Sequence, residues 1–169
     1  STTIDLAEAD YSFVGEDDED YAGYWLSSAG DVDGDGLSDL LITSHGSDDG
    51  SSDGGKTYLV LAASLGSEAT IDLSNADHQF HGENSDDWAG ISASGIGDVD
   101  GDGLGDLLVG AYGNDEGGTT AGKAYIILGA SLGSEVSIDL ADADYHLVGE
   151  EGGDRAGVSV AGAGDVDGD

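Results

Sequence analysis

The segment Asp31-Val32-Asp33-Gly34-Asp35-Gly36-Leu37-Ser38-Asp39 sets carboxylates at positions 1, 3, 5 and 9 of a nine-residue stretch, with glycine at position 6. Unneutralised, so many like charges within a few ångströms repel one another. A hard cation such as Ca²⁺ removes that repulsion, because it takes six to eight oxygen ligands from carboxylates, carbonyls and water. Alternating Asp residues point inward, and the glycines allow the sharp turn such a loop requires. The pattern returns in full as Asp98, Asp100, Asp102 and Asp106, and begins again at Asp165, Asp167 and Asp169. Asp-Gly pairs also mark ordinary solvated turns, but recurrence of the whole spacing favours calcium loops, the third lacking its closing residues.

The first six positions also fit an EF-hand, which needs a bidentate Glu at position 12 and a helix on each side. Position 12 is Ile42 in one copy and Val109 in the other. Leu40-Leu41-Ile42-Thr43 and Leu107-Leu108-Val109-Gly110 follow the loops directly, and these short apolar runs read as strands. The acidic segment is therefore expected to be a clip inside a β-hairpin.

The elements that carry the loops repeat every 67 residues. Asp31, Asp98 and Asp165 are spaced by that interval, as are Ile4-Asp5-Leu6, Ile71-Asp72-Leu73 and Ile138-Asp139-Leu140. Gly15-Glu16 matches Gly82-Glu83 and Gly149-Glu150, and Lys56 and Tyr58 match Lys123 and Tyr125. Each unit predicts four strands: Tyr24–Ala29, Asp39–Thr43, Lys56–Ala62 and His78–Gly82 in the first. The equivalents in the second begin with Ile91–Ile96, and a third first strand is expected over Val158–Ala163. A helical turn is expected around Asp5–Ala9. Four antiparallel strands per unit, joined by Gly/Asp turns, describe an all-β chain of β-propeller blades. The organisation predicted is an outer strand of a preceding or closing blade in 1–21, blades at 22–88 and 89–155, and the start of a third at 156–169. Two and a half blades cannot close a ring of the usual four to eight. The sequence thus suggests a piece of a longer chain, or copies joined edge to edge.

Composition excludes several functions. The chain has 37 acidic and 3 basic residues, whereas nucleic acid and anionic membrane partners demand a basic surface. No apolar run is long enough to span a bilayer. Cysteine is absent, so any stapling must come from metal. Enzyme motifs are also missing: there is no nucleophile elbow, phosphate loop or Cys/His cluster. The acid pairs Asp17-Asp18 and Asp86-Asp87 read as solvated loop residues before they read as glycosidase carboxylates. His78 and His81 read as strand residues before they read as a transition-metal pair. Trp25, Trp88, Tyr21, Tyr24 and Tyr112 offer either a binding face for sugar or protein, or packing between blades, with packing favoured.

The chain resembles the FG-GAP repeats of integrin α-subunit propellers and of bacterial surface proteins. Gly30 and Gly97 precede the loops, Asp39-Leu40 and Asp106-Leu107 follow them, and Gly110-Ala111-Tyr112 stands at the Gly-Ala-Pro position. Ala22, Ala89 and Ala156 replace the family's Phe, and Thr43-Ser44-His45 departs from Gly-Ala-Pro. The resemblance implies that Asp31, Asp33, Asp35 and Asp39 hold one Ca²⁺ with the Leu37 carbonyl. It implies that Asp98, Asp100, Asp102 and Asp106 hold another with that of Leu104, and that a third site at Asp165, Asp167 and Asp169 is empty or partial. It further implies a non-enzymatic structural or adhesive module, secreted or at the cell surface. The partners expected are a protein or glycan surface ligand or other copies of the repeat. The alternative is a non-catalytic propeller domain of a larger extracellular enzyme.

Overall fold

Residues 5–164 are described by a computed structural model. They form eleven strands and five single-turn 3₁₀ segments, with no α-helix among the described residues. β1 (Ser12–Val14) stands apart from two larger sheets. The first unit gives β2 (Leu26–Gly30), β3 (Asp39–Ser44), β4 (Lys56–Val60), β5 (Thr70–Asp72) and β6 (His78–His81). The second gives β7 (Ser92–Gly97), β8 (Asp106–Ala111), β9 (Lys123–Ile127), β10 (Ser137–Asp139) and β11 (Tyr145–Val148). Four strands of each unit make one antiparallel sheet, in the order β6-β4-β3-β2 and β11-β9-β8-β7. These are β-propeller blades.

The fifth short strand of each unit was not foreseen. β5 pairs in parallel with β1, and β10 pairs in parallel with β6. After its third strand the chain therefore steps back to the outer edge of the preceding blade, then returns to its own fourth strand. The return begins with a 3₁₀ turn capped by an Asp side chain: Asp72 accepts from Ser74 N–H at 2.9 Å, and Asp139 accepts from Ala141 N–H at 2.9 Å. The expected turn near the start is of the same kind, Leu6–Glu8, capped by Asp5. Each cap satisfies an N–H that would otherwise lack a partner.

Two further departures have local causes. The first strand of each full unit starts later than expected, at Leu26 and Ser92, and is followed by a bulge at Gly30 and Gly97. Both glycines have φ of 81°, a conformation that suits glycine and turns the chain into the acidic loop. The strand expected over Val158–Ala163 does not form, since no second strand lies beside it among the described residues. Its place is nonetheless marked: a Cβ on Gly162 would lie 3.0 Å from Ile96 Cα. The equivalent Gly95 lies so close to β2 that its Cβ would be 2.4 Å from the Ala29 carbonyl oxygen. That approach explains why the first strands are rich in small residues.

The main core fills the space between the two blades. Ala29, Leu41, Leu59 and Phe80 of the first sheet cluster with Ala93, Leu107, Val109 and Tyr125 of the second. Burying a side chain such as Phe80 completely contributes roughly 1.5–3 kcal/mol. A smaller cluster, Ile42, Tyr58, Val60, Leu73 and Ala76, lies on the other face of the first blade beneath Phe13 of β1.

Candidate metal centres

The acidic loops join the first and second strands of each blade, between β2 and β3 and between β7 and β8. Side chains within each loop fold it by accepting backbone N–H groups. Asp31 accepts from Gly34 and Gly36 at 2.8 and 3.0 Å. Asp98 accepts from Gly101, Asp102 and Gly103 at 2.7 to 3.0 Å. Asp33 and Asp35 accept from Asp35 and Leu37, and Asp100 and Asp102 accept from Asp102 and Leu104. These bonds wind the chain around the carboxylates and occupy only part of each oxygen's acceptor capacity.

The closing residues differ from the others. Asp39 and Asp106 are fully buried. Asp39 accepts from Val32 N–H at 2.9 Å on one oxygen and from Ala62 N–H at 2.8 Å on the other. Asp106 repeats this with Val99 at 2.7 Å and Gly129 at 2.9 Å. Each thus ties the start of the loop to the end of the blade's third strand. Burial raises the Asp39 carboxyl above the ordinary range, against the lowering effect of those two bonds. The N–H of Gly103, followed by other backbone donors, holds Asp98 below that range, whereas desolvation followed by neighbouring carboxylates raises Asp100.

Asp31, Asp33 and Asp39 each offer an oxygen within 4.8 Å of the other two, and Asp98, Asp100 and Asp106 do the same. Asp35 and Asp102 stand outside these trios. Leu37 and Leu104 sit within the loops as donors to them. Asp165, Asp167 and Asp169 lie outside the described residues. An all-oxygen, acidic donor set on a turning loop fits a hard divalent cation better than a soft transition metal.

An FG-GAP repeat profile matches residues 22–60 and 90–127, each span holding one acidic loop and its flanking strands. FG-GAP repeats are thus present in this chain over those two spans. The chain is 36% identical over 129 residues to integrin alpha-PS2 of Drosophila melanogaster, a match that covers 73% of this chain and 9% of that relative. No helix among the described residues is long and apolar enough to cross a membrane.

Other residues singled out from the sequence fall elsewhere in the FG-GAP units. His78 is buried with Nδ1 2.8 Å from the Glu135 carbonyl oxygen, and His81 faces the Asp49 carbonyl. Neither belongs to a cluster of three metal-ligating groups among the described residues. Asp86 and Asp87 line an open cleft of about 820 Å³ together with Trp88 and Glu116. Asp87 is buried and accepts from Asn114 at 2.8 Å, and burial raises its pKa. Trp88 stacks on Tyr112 at 5.1 Å, and the equivalent Tyr21 stacks on His45 at 5.3 Å. Positive φ at Tyr21 and Trp88 accompanies both stacks. Tyr21 and Tyr24 are more than half exposed, contrary to the packing expected for them.

Sequence reasoning noted the period of Lys56 and Lys123 but missed what they do. Both are buried. Lys56 donates to Glu16 at 2.6 Å and Asp49 at 2.5 Å; Lys123 donates to Glu83 at 2.5 Å and Glu116 at 2.7 Å. Each lysine also lies over the ring of its own strand's Tyr58 or Tyr125. Burial alone would lower both ammonium pKa values, but the paired acids outweigh it and raise them. The signal was present: the chain's two lysines stand 67 residues apart among 37 acids.

Proposed function

We propose that these FG-GAP blades form a calcium-binding structural and adhesive module, with one Ca²⁺ in each acidic loop. The observation that carries the proposal is the pair of equivalent trios, Asp31/Asp33/Asp39 and Asp98/Asp100/Asp106. Asp35, Asp102 and the carbonyls of Leu37 and Leu104 complete the ligand sets as the ion draws the loop in. Asp165, Asp167 and Asp169 would begin a third site. The ion's role is structural: it neutralises the loop and locks the first hairpin of each blade, because ligand assembly and folding are coupled.

The module is non-catalytic, and it acts outside the cell on a protein or glycan surface. Its blades correspond to 22–88 and 89–155. Titration of chelator-stripped protein with CaCl₂ by calorimetry should show two ions bound. Asp33→Asn should remove one and Asp100→Asn the other. No calcium heat in the unaltered protein would defeat the proposal. The adhesive part is tested on a glycan array, where binding should disappear in EGTA; binding unaffected by EGTA would separate adhesion from the loops.

A further inference from the structure

The loop between β6 and β7 and the loop between β8 and β9 enclose the open cleft, and here the two units differ in side-chain chemistry. Where the first unit has Asp17, Asp18 and Asp53, the second has Asn84, Ser85 and Thr120, so three carboxylates give way to neutral hydrogen-bonding groups. Where the first has Tyr21 on His45, the second has the larger pair Trp88 on Tyr112. In a chain with 37 acidic residues, these replacements run against the prevailing charge. The cleft is also braced. Lys123 ties its two loops together by donating to Glu83 at 2.5 Å and Glu116 at 2.7 Å, both of which line it. Gly113 admits the indole, since a Cβ there would lie 2.9 Å from Trp88 Cε3. Tyr112 covers one face of that indole, which leaves the other face to the cleft that Trp88 lines. Asp87, only 2% exposed, accepts through Oδ2 from the Asn84 N–H, Asn84 Nδ2 and Asn114 Nδ2. Its Oδ1 accepts from no group among the described residues, and Asp87 lines the cleft. A nearly buried carboxylate oxygen left without a donor is costly.

We propose that this cleft binds an uncharged pyranose of a glycan, with the C–H face of the sugar on Trp88 and one of its hydroxyls donating to Asp87 Oδ1. The C–H face of a pyranose is apolar and buries area against an indole. Its hydroxyls both donate and accept, and the amide of Asn84 and the hydroxyls of Ser85, Thr119 and Thr120 do the same. Charged ligands match less well. Glu83 and Glu116 are spent on Lys123, and Asp115 accepts from Thr120 N–H at 2.6 Å. Asp86 is the one lining carboxylate with neither a hydrogen bond nor an ion pair among the described residues, so little is left to hold a cationic side chain. An anionic sugar would meet repulsion from Asp86 and Asp115. The inference rests on the adhesive reading above, and it is independent of which ion the acidic loops hold.

Saturation-transfer NMR in calcium-containing buffer tests the cleft with free probes. These are the methyl glycosides of glucose, galactose, mannose and N-acetylglucosamine, with methyl glucuronide and N-acetyl-lysine methylamide as the anionic and cationic comparisons. At least one neutral glycoside should receive saturation, strongest on the C–H protons of one ring face, and neither charged probe should. Trp88→Ala should abolish the transfer. Trp88→Tyr and Thr120→Asp each install the first unit's residue, and they keep the test decisive if Trp88→Ala lowers the thermal midpoint. Trp88→Tyr should reduce the transfer, and Thr120→Asp should weaken binding about tenfold by removing a hydroxyl partner. Silence across all four neutral glycosides would overturn the proposal, as would transfer to the lysine probe alone, which would give the cleft to a protein side chain. Transfer unchanged in Trp88→Tyr and Thr120→Asp would place the sugar elsewhere, and would also overturn it. A protein that binds a glycan array while these probes stay silent loses this cleft and keeps its adhesive role; one silent in both loses glycan adhesion as well.

Discussion

The two blades carry nearly the same side chains at equivalent positions, yet their front faces are in different states. In the second blade Ala93, Leu107, Val109 and Tyr125 are sealed beneath the first. In the first blade the equivalent Leu26 is 65% exposed and Leu40 is half-buried, while Ile42 and Tyr58 are buried in a smaller cluster with Leu73, Ala76 and Phe13 of β1. Apolar cavities of about 260 and 230 Å³ remain beside Phe13 and Leu26. The difference teaches that a blade's core is made by its neighbour. Within one sheet the hairpins, the bulge and the acidic loop form alike in both units, so these are local. Burial is not local, because it depends on a sheet encoded 67 residues away.

That contrast can be broken most forcefully at the loops, which both blades share. At calcium concentrations about a hundredfold above Kd, two sites stabilise the native state by roughly 5 kcal/mol. EGTA should therefore lower the thermal midpoint on the order of 10–20 °C, with both blades affected. A melt unchanged by chelator would assign the loops no structural ion. Next in size is a matched pair of truncations. Leu107→Ala should cost about 2–5 kcal/mol by leaving a cavity in a sealed core, and Leu40→Ala less than half as much. Equal costs in chemical denaturation would show that the first blade is packed as well as the second.

The fold was largely legible in the sequence because its information is short-range. Period, strand number and the acidic loops follow from alternation, Gly/Asp turns and spacing. Lys56–Ala62 reads as a strand from its apolar run, and within it Tyr58, Leu59 and Val60 are buried. Three features were not legible, each because it depends on a neighbour. The short strands β5 and β10 pair only with the preceding blade, and three residues of Ser-Ile-Asp or Thr-Ile-Asp carry no strand signal alone. Residues 158–163 have strand composition but no hairpin partner among the described residues. Glu16 and Glu83 look like surface acids until the repeat places them on a buried lysine. At the loops, the sequence placed four acids per site, while the geometry converges three of them and gives Asp39 and Asp106 a second task as backbone acceptors.

The smallest expected effect concerns the lysine clusters under acid. Lys56, chiefly through its hydrogen bond, lowers Asp49, and Lys123 likewise lowers Glu116. A carboxylate with a depressed folded pKa contributes stability that is present above its unfolded pKa, about 4. That contribution is lost as pH falls through the folded value. Both acids are substantially exposed, so solvent screening keeps the contribution small. In excess chelator, Asp49→Asn and Glu116→Gln should reduce stability slightly at pH 7 and converge with the unaltered protein as acidification protonates the two carboxylates. A difference that grows on acidification would reverse the assigned sign.

The account rests centrally on one ion per complete loop, and native mass spectrometry after desalting from calcium counts ions directly. The unaltered protein should retain two Ca²⁺, Asp33→Asn and Asp100→Asn one each, and the double variant none. Retention of two ions by the double variant, or of none by the unaltered protein, would contradict the account.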